Sequence, residues 1–335
     1  MTHLTRFLTI AVHALCWLAA SGATPAVAQV AVGERAALKN AAELGHNGVN
    51  ERDVVEVDPA APVTLLTVDN RLGEVHIKGH DSSKIIISAY KRAPDQETLE
   101  RLKVTLVPDA NGSVRIATSL TTGREARPIK SGSITVDLVV HAPRSARVDA
   151  RVWNGLLQVV GMENGAELSS NGGAIDVKNA SGDIVTSSAA GQQTFKEIFG
   201  TVEAQSIGGR MDLDVVRGRR LDASVHDGRI DGREVRVSEM SLRATKGDIH
   251  LRAQALAGGR YQIGTFSGRI EVEFASSAPV ELSARSRKGT VDLPAALGAY
   301  MDDAGAMHAA LTGKGQPAMI QLRSRVGNIQ FTVLE

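Results

Sequence analysis

A five-residue pattern recurs at least thirteen times along the chain: a glycine, any residue, an apolar residue, a usually polar residue and a usually apolar one. The first copy is Gly73-Glu74-Val75-His76-Ile77 and the last is Gly327-Asn328-Ile329-Gln330-Phe331. The second position after the glycine is always Val, Ile, Leu or Met, and the third is polar except where Val185 follows Ile184. Alternation with period two is the mark of a strand with one buried face, and its repetition at fixed intervals is the mark of a repeat architecture. Such a pattern constrains the fold strongly and the chemistry weakly. No molecular activity can be read from it alone.

From residue 147 onward the pattern glycines stand at Gly155, Gly173, Gly182, Gly200, Gly209, Gly228, Gly247, Gly268, Gly289 and Gly327, with Gly73 as an early outlier. Their separations of 18, 9, 18, 9, 19, 19, 21, 21 and 38 approximate one, two or four multiples of a unit of nine to ten residues. The apolar alternation also extends backward, as Leu221 and Ala223 before Gly228 and Tyr261 and Ile263 before Gly268 illustrate. Each glycine therefore joins two strands that share one core. Two strands and two turns complete a coil in about nineteen residues, and strands stack about 4.8 Å apart. The expected fold is all-β: a two-sheet β-solenoid of stacked coils with glycine corners. Glycine suits such corners because it has no Cβ to strike the coil above and accepts positive φ. A closed antiparallel sandwich is the alternative, with Lys246-Gly247 as a possible two-residue hairpin turn.

Between residues 51 and 146, apolar pairs such as Leu66/Val68, Ile85/Ile87, Val114/Ile116 and Val136/Leu138 are separated by turn-forming residues, including Asp69-Asn70 and Asp109-Ala110-Asn111-Gly112. Short connections of this kind favour antiparallel pairing. The expected organisation is an antiparallel β region over 51–146, with a helical turn in 94–103, followed by the solenoid over 147–335. An Ala- and Gly-rich insertion at 294–317 interrupts the last coils, as a loop or as a cap over an open sheet edge.

Ahead of this body, Thr5-Arg6, the apolar run from Phe7 to Ala20 and the small-residue sequence Ala26-Val27-Ala28 read as a secretory signal peptide over 1–28. Residues 29–50 read as a loose linker or one short helix from Glu34 to Leu44. The single cysteine, Cys16, lies inside the signal segment behind bulky Leu15, so neither lipidation nor a disulfide is expected. The exported chain would have no transmembrane helix after cleavage. It would reside in the periplasm, on the outer surface or outside the cell.

Several passages together resemble a known group. "VTLLTVDNRLGEVHIKG", "VHAPRSARVDARVWNG", "NGGAIDV", "SGDIV", "KGDIHL" and "SGRIEVEF" are similar to the bacterial β-strand-repeat family of putative adhesins, a domain of unknown function with toast-rack-like relatives near envelope-stress regulators. The resemblance covers residues 54–334. It implies an exported, all-β, noncatalytic protein, and it transfers no catalytic residue.

Outward-facing positions are where function would lie. After the glycines of the central coils, the third position reads Asp212, Asp231, His250, Glu271 and Asp292, and the first reads Arg210, Arg229, Asp248, Arg269 and Thr290. Alternate residues share a face, so these columns form a polar ladder in which arginines offset an acidic row. Its plain reading is a solvated ion-pair lattice, each pair contributing about 0–1 kcal/mol. Its sharper reading is a cation- or glycan-binding face. Calcium needs about six converging oxygens, which a flat ladder supplies poorly.

Other candidates are weaker. His76 and His80 sit on a strand and its turn rather than on one helical face, and a zinc ligand set is missing. Ser224, His226 and Asp227 are strand neighbours without a G-x-S-x-G elbow. Gly172-Gly173 and Gly208-Gly209 lack the following helix and Lys-Ser/Thr pair of a phosphate cradle. Thirty-eight Lys and Arg against 37 Asp and Glu leave a net charge of +1, which argues against nucleic acid. No cofactor, metal or catalytic role is expected.

The leading expectation is an exported, noncatalytic, adhesin-like or envelope-scaffold protein whose partner is a protein or glycan of the cell envelope. A periplasmic accessory of envelope-stress signalling is the alternative, and a polysaccharide-active parallel β-helix enzyme comes third.

Overall fold

Strand registers show what each inward side chain packs against. The computed structural model describes residues 31–32, 48–121, 133–276 and 278–334. The expected signal segment and most of the expected linker lie outside them. In the first of two sheets, called A, Ile175 pairs in parallel with Leu157 on one side and Gln193 on the other, a spacing of 18 residues. In sheet B, Ile184 pairs in parallel with Ala166 and with Val202, again 18 apart. The spacing widens to 19 between Ile230 and Ile249 and to 21 between Ile249 and Ile270. The body is therefore a β-solenoid of stacked two-strand coils and not a closed antiparallel sandwich. Pairing persists through the corners, so that Gln193–Lys246 is one extended run of 54 residues.

Two corner columns hold the coils together, and the single glycine series of the sequence divides between them. The first column stacks Gly73, Gly155, Gly173, Gly191, Gly209, Gly228, Gly247, Gly268, Gly327 and Gly289 in that spatial order, and a Cβ on any member after Gly73 would crowd the backbone of the one before. Gly182 and Gly200 belong to the second column, with Gly165 and Gly218. Here left-handed backbone is also taken by Asn179, Glu197, Val215 and Glu234, one per coil. Gly191 escapes the sequence pattern because Gln193 occupies the apolar position after it. That side chain is fully buried yet satisfied: it accepts from Thr186 Oγ1 at 2.7 Å and donates to Ser188 Oγ and the Gln205 carbonyl at 2.8 Å each.

Hydroxyls finish the first corner. Ser170 Oγ donates to the Gly173 carbonyl at 3.1 Å, Thr265 to Gly247 at 3.1 Å, and Ser286 to Gly327 at 2.8 Å. A buried carbonyl left without a donor costs about 1–3 kcal/mol, so in these coils a small hydroxyl residue closes the strand of sheet B, whereas Val152, Val225 and Ala244 take the same position in others. Between the sheets the core is mostly aliphatic, with Phe195 buried in mid-stack and, in the last coils, Tyr261, Phe274 and Phe331 packed with centroids 5.1 and 6.1 Å apart.

The stack begins at Leu65 rather than at residue 147. Strands Leu65–Asn70 and Val75–His80 form the first coil, in parallel register with Arg147–Val152 and Leu157–Val160. The expected antiparallel strands of 51–146 do not form a separate meander. Instead they extend both sheets from this coil. Thr135–Pro143 pairs in parallel with Val75–His80 and antiparallel with Ile85–Ala93, which pairs in turn with Val49–Val57. On sheet B, Ser113–Leu120 is parallel to Leu65–Asn70 and antiparallel to Leu102–Pro108. Helix Gln96–Arg101, N-capped by Asp95, crosses between the sheets and buries Leu99. Residues at both ends of the expected linker are also strand: Ala31–Val32 pairs with Val55 and Glu56, and Val49 opens a nine-residue strand.

At the other end the chain leaves sequence order. The coil carrying Ala318–Val326 and Ile329–Leu334 inserts between the coil of Tyr261 and Ile270 and the coil of Leu282 and Val291: Ile263 pairs with Leu322, and Ala284 with Leu322 from the other side. The gap of 38 between Gly289 and Gly327 is therefore not two successive coils. The insertion at 294–317 makes this return possible and also terminates the sheet. Its strand Met307–Leu311 runs antiparallel along Val280–Lys288, and only the two-residue strand Tyr300–Met301 remains beyond it. A two-residue edge offers little for another chain to pair with.

Candidate binding surfaces

Outward side chains of sheet A are largely consumed by each other. Arg210 Nε lies 2.5 Å from Asp212 of its own coil and 3.1 Å from Asp231 of the next, while Arg229 Nε lies 2.6 Å from Asp231. His250 sits between Asp231 and Glu271, at 3.1 and 3.3 Å, and Arg269 Nη1 is 2.9 Å from Glu271. That carboxylate holds the Arg269 guanidinium above its ordinary pKa by hydrogen bond and charge. Asp248, which breaks the arginine column, accepts the Arg269 backbone N–H at 2.6 Å. Asp292 does not join the ladder. Because the C-terminal coil intervenes, Gln330 stands beside both Glu271 and Asp292 in the registers. Among the described residues, no three His, Cys, Asp or Glu side chains gather as a metal site.

The remaining sequence candidates do not converge either. His76 contacts Gln158 and Glu74, each at 3.3 Å, whereas His80 accepts the Ser82 N–H at 2.9 Å. Burial, with Lys78 and His80 nearby, lowers the pKa of His141, whose ring lies 6.4 Å from that of His80. Ser224 and His226 face outward from sheet B in one strand, and among the described residues neither is hydrogen-bonded to the other or to Asp227. Gly172-Gly173 and Gly208-Gly209 are corners.

Sheet B carries the surface that the sequence reading passed over. Its outward side forms a groove of about 1700 Å³ running along the stack from Trp153 to Arg287, across the coils. Part of its floor carries short side chains, at Ser169, Ser187, Ser224 and Gly264, and the rest carries Gln205 and arginines. Along the first corner the rim carries exposed Trp153, Ile207 and Phe266. At the far end, the insertion overhangs the groove with Asp302, Ala304, Ala306 and His308. Asp302 fixes this overhang: it accepts the Ala306 N–H and His308 Nε2, each at 2.8 Å, and those bonds hold its carboxyl below the usual pKa. Tyr300 stacks on His308 with centroids 5.5 Å apart.

A signal for this groove does exist in the sequence. Four residues before each first-column glycine stand Asp69, Arg151, Ser169, Ser187, Gln205, Ser224, Arg243, Gly264, Arg323 and Arg285, in stack order. Reading backward from the glycines, instead of forward, gives the groove floor directly. The spatial order of its last members is fixed only by the fold.

The chain is similar to several solved structures at low identity. The putative adhesin of Parabacteroides merdae is 11% identical, with a TM-score of 0.41, over 85% of this chain and 97% of that one. The putative lipid binding protein of Parabacteroides distasonis is 9% identical with a TM-score of 0.46, over 84% and 96%. The putative adhesin of Bacteroides fragilis is 14% identical with a TM-score of 0.37, again over 84% and 96%. No curated protein matches the chain. No helix among the described residues is long and apolar enough to cross a membrane. The Toastrack DUF4097 family model matches residues 65–331, from the first strand of the stack into its last, and the chain belongs to that family.

Proposed function

We propose that this protein is an exported, noncatalytic, adhesin-like component of the cell envelope that holds an extended ligand in the groove of sheet B. The observation that carries this reading is the contrast between the two faces. On sheet A, arginines, acids and His250 satisfy one another at 2.5–3.3 Å, so a ligand there must displace existing pairs. On sheet B a long concavity crosses the coils, with small residues along part of its floor and exposed aromatic and aliphatic residues on its rim. A stack of coils lengthens such a groove by about 4.8 Å per coil, which suits a polymer better than a small molecule. The exported character rests on the signal-like sequence of residues 1–28.

The test is retention of the purified chain on immobilised envelope polysaccharide, compared with Ser187→Trp, which plugs the groove floor at an exposed position, and with Arg229→Gln on sheet A. Loss of retention with the plug alone supports the reading. Equal retention by all three proteins refutes it.

A further inference from the structure

We infer that the C-terminal end of the groove is a binding site for an anionic polysaccharide, held by Arg243, Arg323 and Arg285 across a gap at Gly264; this rests on the groove reading above. In sheet B the registers place Arg243 beside Gly264, Gly264 beside Arg323, and Arg323 beside Arg285. All four positions face the groove. Arg323 and Arg285 are thus direct neighbours on adjacent strands, an arrangement of like charges that destabilises a sheet. The return of the C-terminal coil out of sequence order creates this juxtaposition.

Nothing among the described residues relieves that repulsion. Among the described residues, no carboxylate lies within ion-pairing distance of Arg285, Arg287, Arg323 or Arg325. Arg243 reaches Asp222 only at 3.9 Å, and Arg325 rests on the face of Phe266, 4.7 Å from its centroid. The ladder arginines of sheet A, Arg210, Arg229 and Arg269, by contrast, each have an acid at 2.5–2.9 Å. Because the chain as a whole carries a net charge of only +1, this local excess is not the trace of a generally basic protein. Guanidinium groups with free donors match carboxylate or sulfate in a bidentate manner.

The neighbouring positions specify the rest of the ligand. Two residues along the strands, Gln262, Gln321, Ser283 and His308 form the parallel row, giving amide and hydroxyl groups suited to sugar hydroxyls. Arg243 and Arg323 are two strand spacings apart, ~10 Å, close to the repeat of a disaccharide and so to the distance between acids on alternate sugars. Gly264 lies between them. A Cβ there would meet only the Arg323 carbonyl oxygen at 3.6 Å, so the backbone does not demand glycine, and its effect is to open the floor for the intervening ring. A single-stranded nucleic acid would need successive stacking platforms, and Phe266, which lines the groove here, is already covered by Arg325.

Calorimetric titration of the full chain with polygalacturonate, dextran sulfate, neutral dextran, poly-dT and phosphatidylserine vesicles tests the inference. The expected result is binding of an anionic polysaccharide that weakens with salt. It should fall at least tenfold in Arg285→Gln/Arg323→Gln and in Gly264→Leu, and remain unchanged in Arg210→Gln/Arg229→Gln. The first variant should melt at or above the wild-type temperature, because it removes a like-charge pair. Binding of neutral dextran that Gly264→Leu abolishes and the arginine variant does not would overturn the anionic inference and leave the groove reading intact. Tighter binding of poly-dT or vesicles would overturn the choice of ligand. No binding of any polysaccharide would overturn both.

Discussion

Gly209 and Gly315 allow the corner stacking to be measured apart from backbone strain. Their φ values are +109° and +108°, so alanine meets nearly the same conformational penalty at each, of order 1–3 kcal/mol. About 0.4–1 kcal/mol of that is recovered because alanine restricts the unfolded chain. Nothing lies within 4 Å of a Cβ placed on Gly315, whereas one placed on Gly209 would overlap the carbonyl oxygen of Gly191 in the coil below. A backbone carbonyl cannot swing aside as a flexible side chain does. The coils must separate locally, an overpacking cost of about 1–3 kcal/mol. Gly315→Ala should therefore destabilise the protein by about 1 kcal/mol and Gly209→Ala by roughly 2 kcal/mol more. At roughly 2–4 °C per kcal/mol, the two melting temperatures should differ by about 4–8 °C. Urea denaturation followed by circular dichroism gives the free energies. Equal losses within about 0.5 kcal/mol would show that coil contact at the glycine column contributes nothing, and the stacking argument would fail.

Four further outcomes are expected. Deleting residues 229–247, one whole coil, should leave a folded protein with a cooperative melt, because Gly228 and Gly247 occupy the same corner and Ile230 pairs with Ile249; global unfolding would mean that the stack is not modular. Tyr261→Phe should cost about 1–3 kcal/mol, since the buried hydroxyl donates to the Val237 carbonyl and accepts the Leu256 N–H. Burial raises the Tyr261 pKa, so its contribution persists below the ordinary tyrosine value and is lost as pH rises through the higher folded value; the phenylalanine variant should lack that alkaline component in pH-dependent melts. The lowered pKa of Asp302 has the opposite sense: its stabilisation of the overhang holds above the ordinary carboxylate pKa and disappears as pH falls through the folded value. Amide NMR signals of Met307–Leu311 should shift in that acid range in the wild type and not in Asp302→Asn. Protease treatment of intact cells should remove the protein while a periplasmic marker survives if the groove faces outward, and should spare it if the protein is periplasmic.

The coil was legible because each strand must bury alternate residues and each first corner must admit a neighbour at backbone distance, which only glycine allows. Those two demands leave period two and a spacing of 18–21 in the sequence. The second corner left a fainter trace, since Glu197, Val215 and Glu234 take the left-handed position with side chains. Order along the stack was not legible. Parallel strands pair through backbone groups that carry no sequence identity, so residues 318–334 could insert between the two preceding coils as readily as extend the end. The same degeneracy hid the place of Leu65–Asn70, whose partner lies 82 residues on. It also hid Gln330, which separates Asp292 from the ladder, and the meeting of Arg285 with Arg323. The groove is hidden in the sequence for a different reason: charge is conspicuous after the glycines, while the floor positions before them mix serine, glutamine and arginine as ordinary strand surface does.

Hydrogen–deuterium exchange of the full chain with and without its bound polysaccharide locates the ligand on one of the two sheets. The account predicts slowed exchange in the strands of sheet B at the groove, chiefly Arg260–Ser267, Val280–Lys288 and Ala318–Val326, with sheet A unchanged. Protection centred on the ladder of Arg210, Asp231 and Glu271 would contradict it.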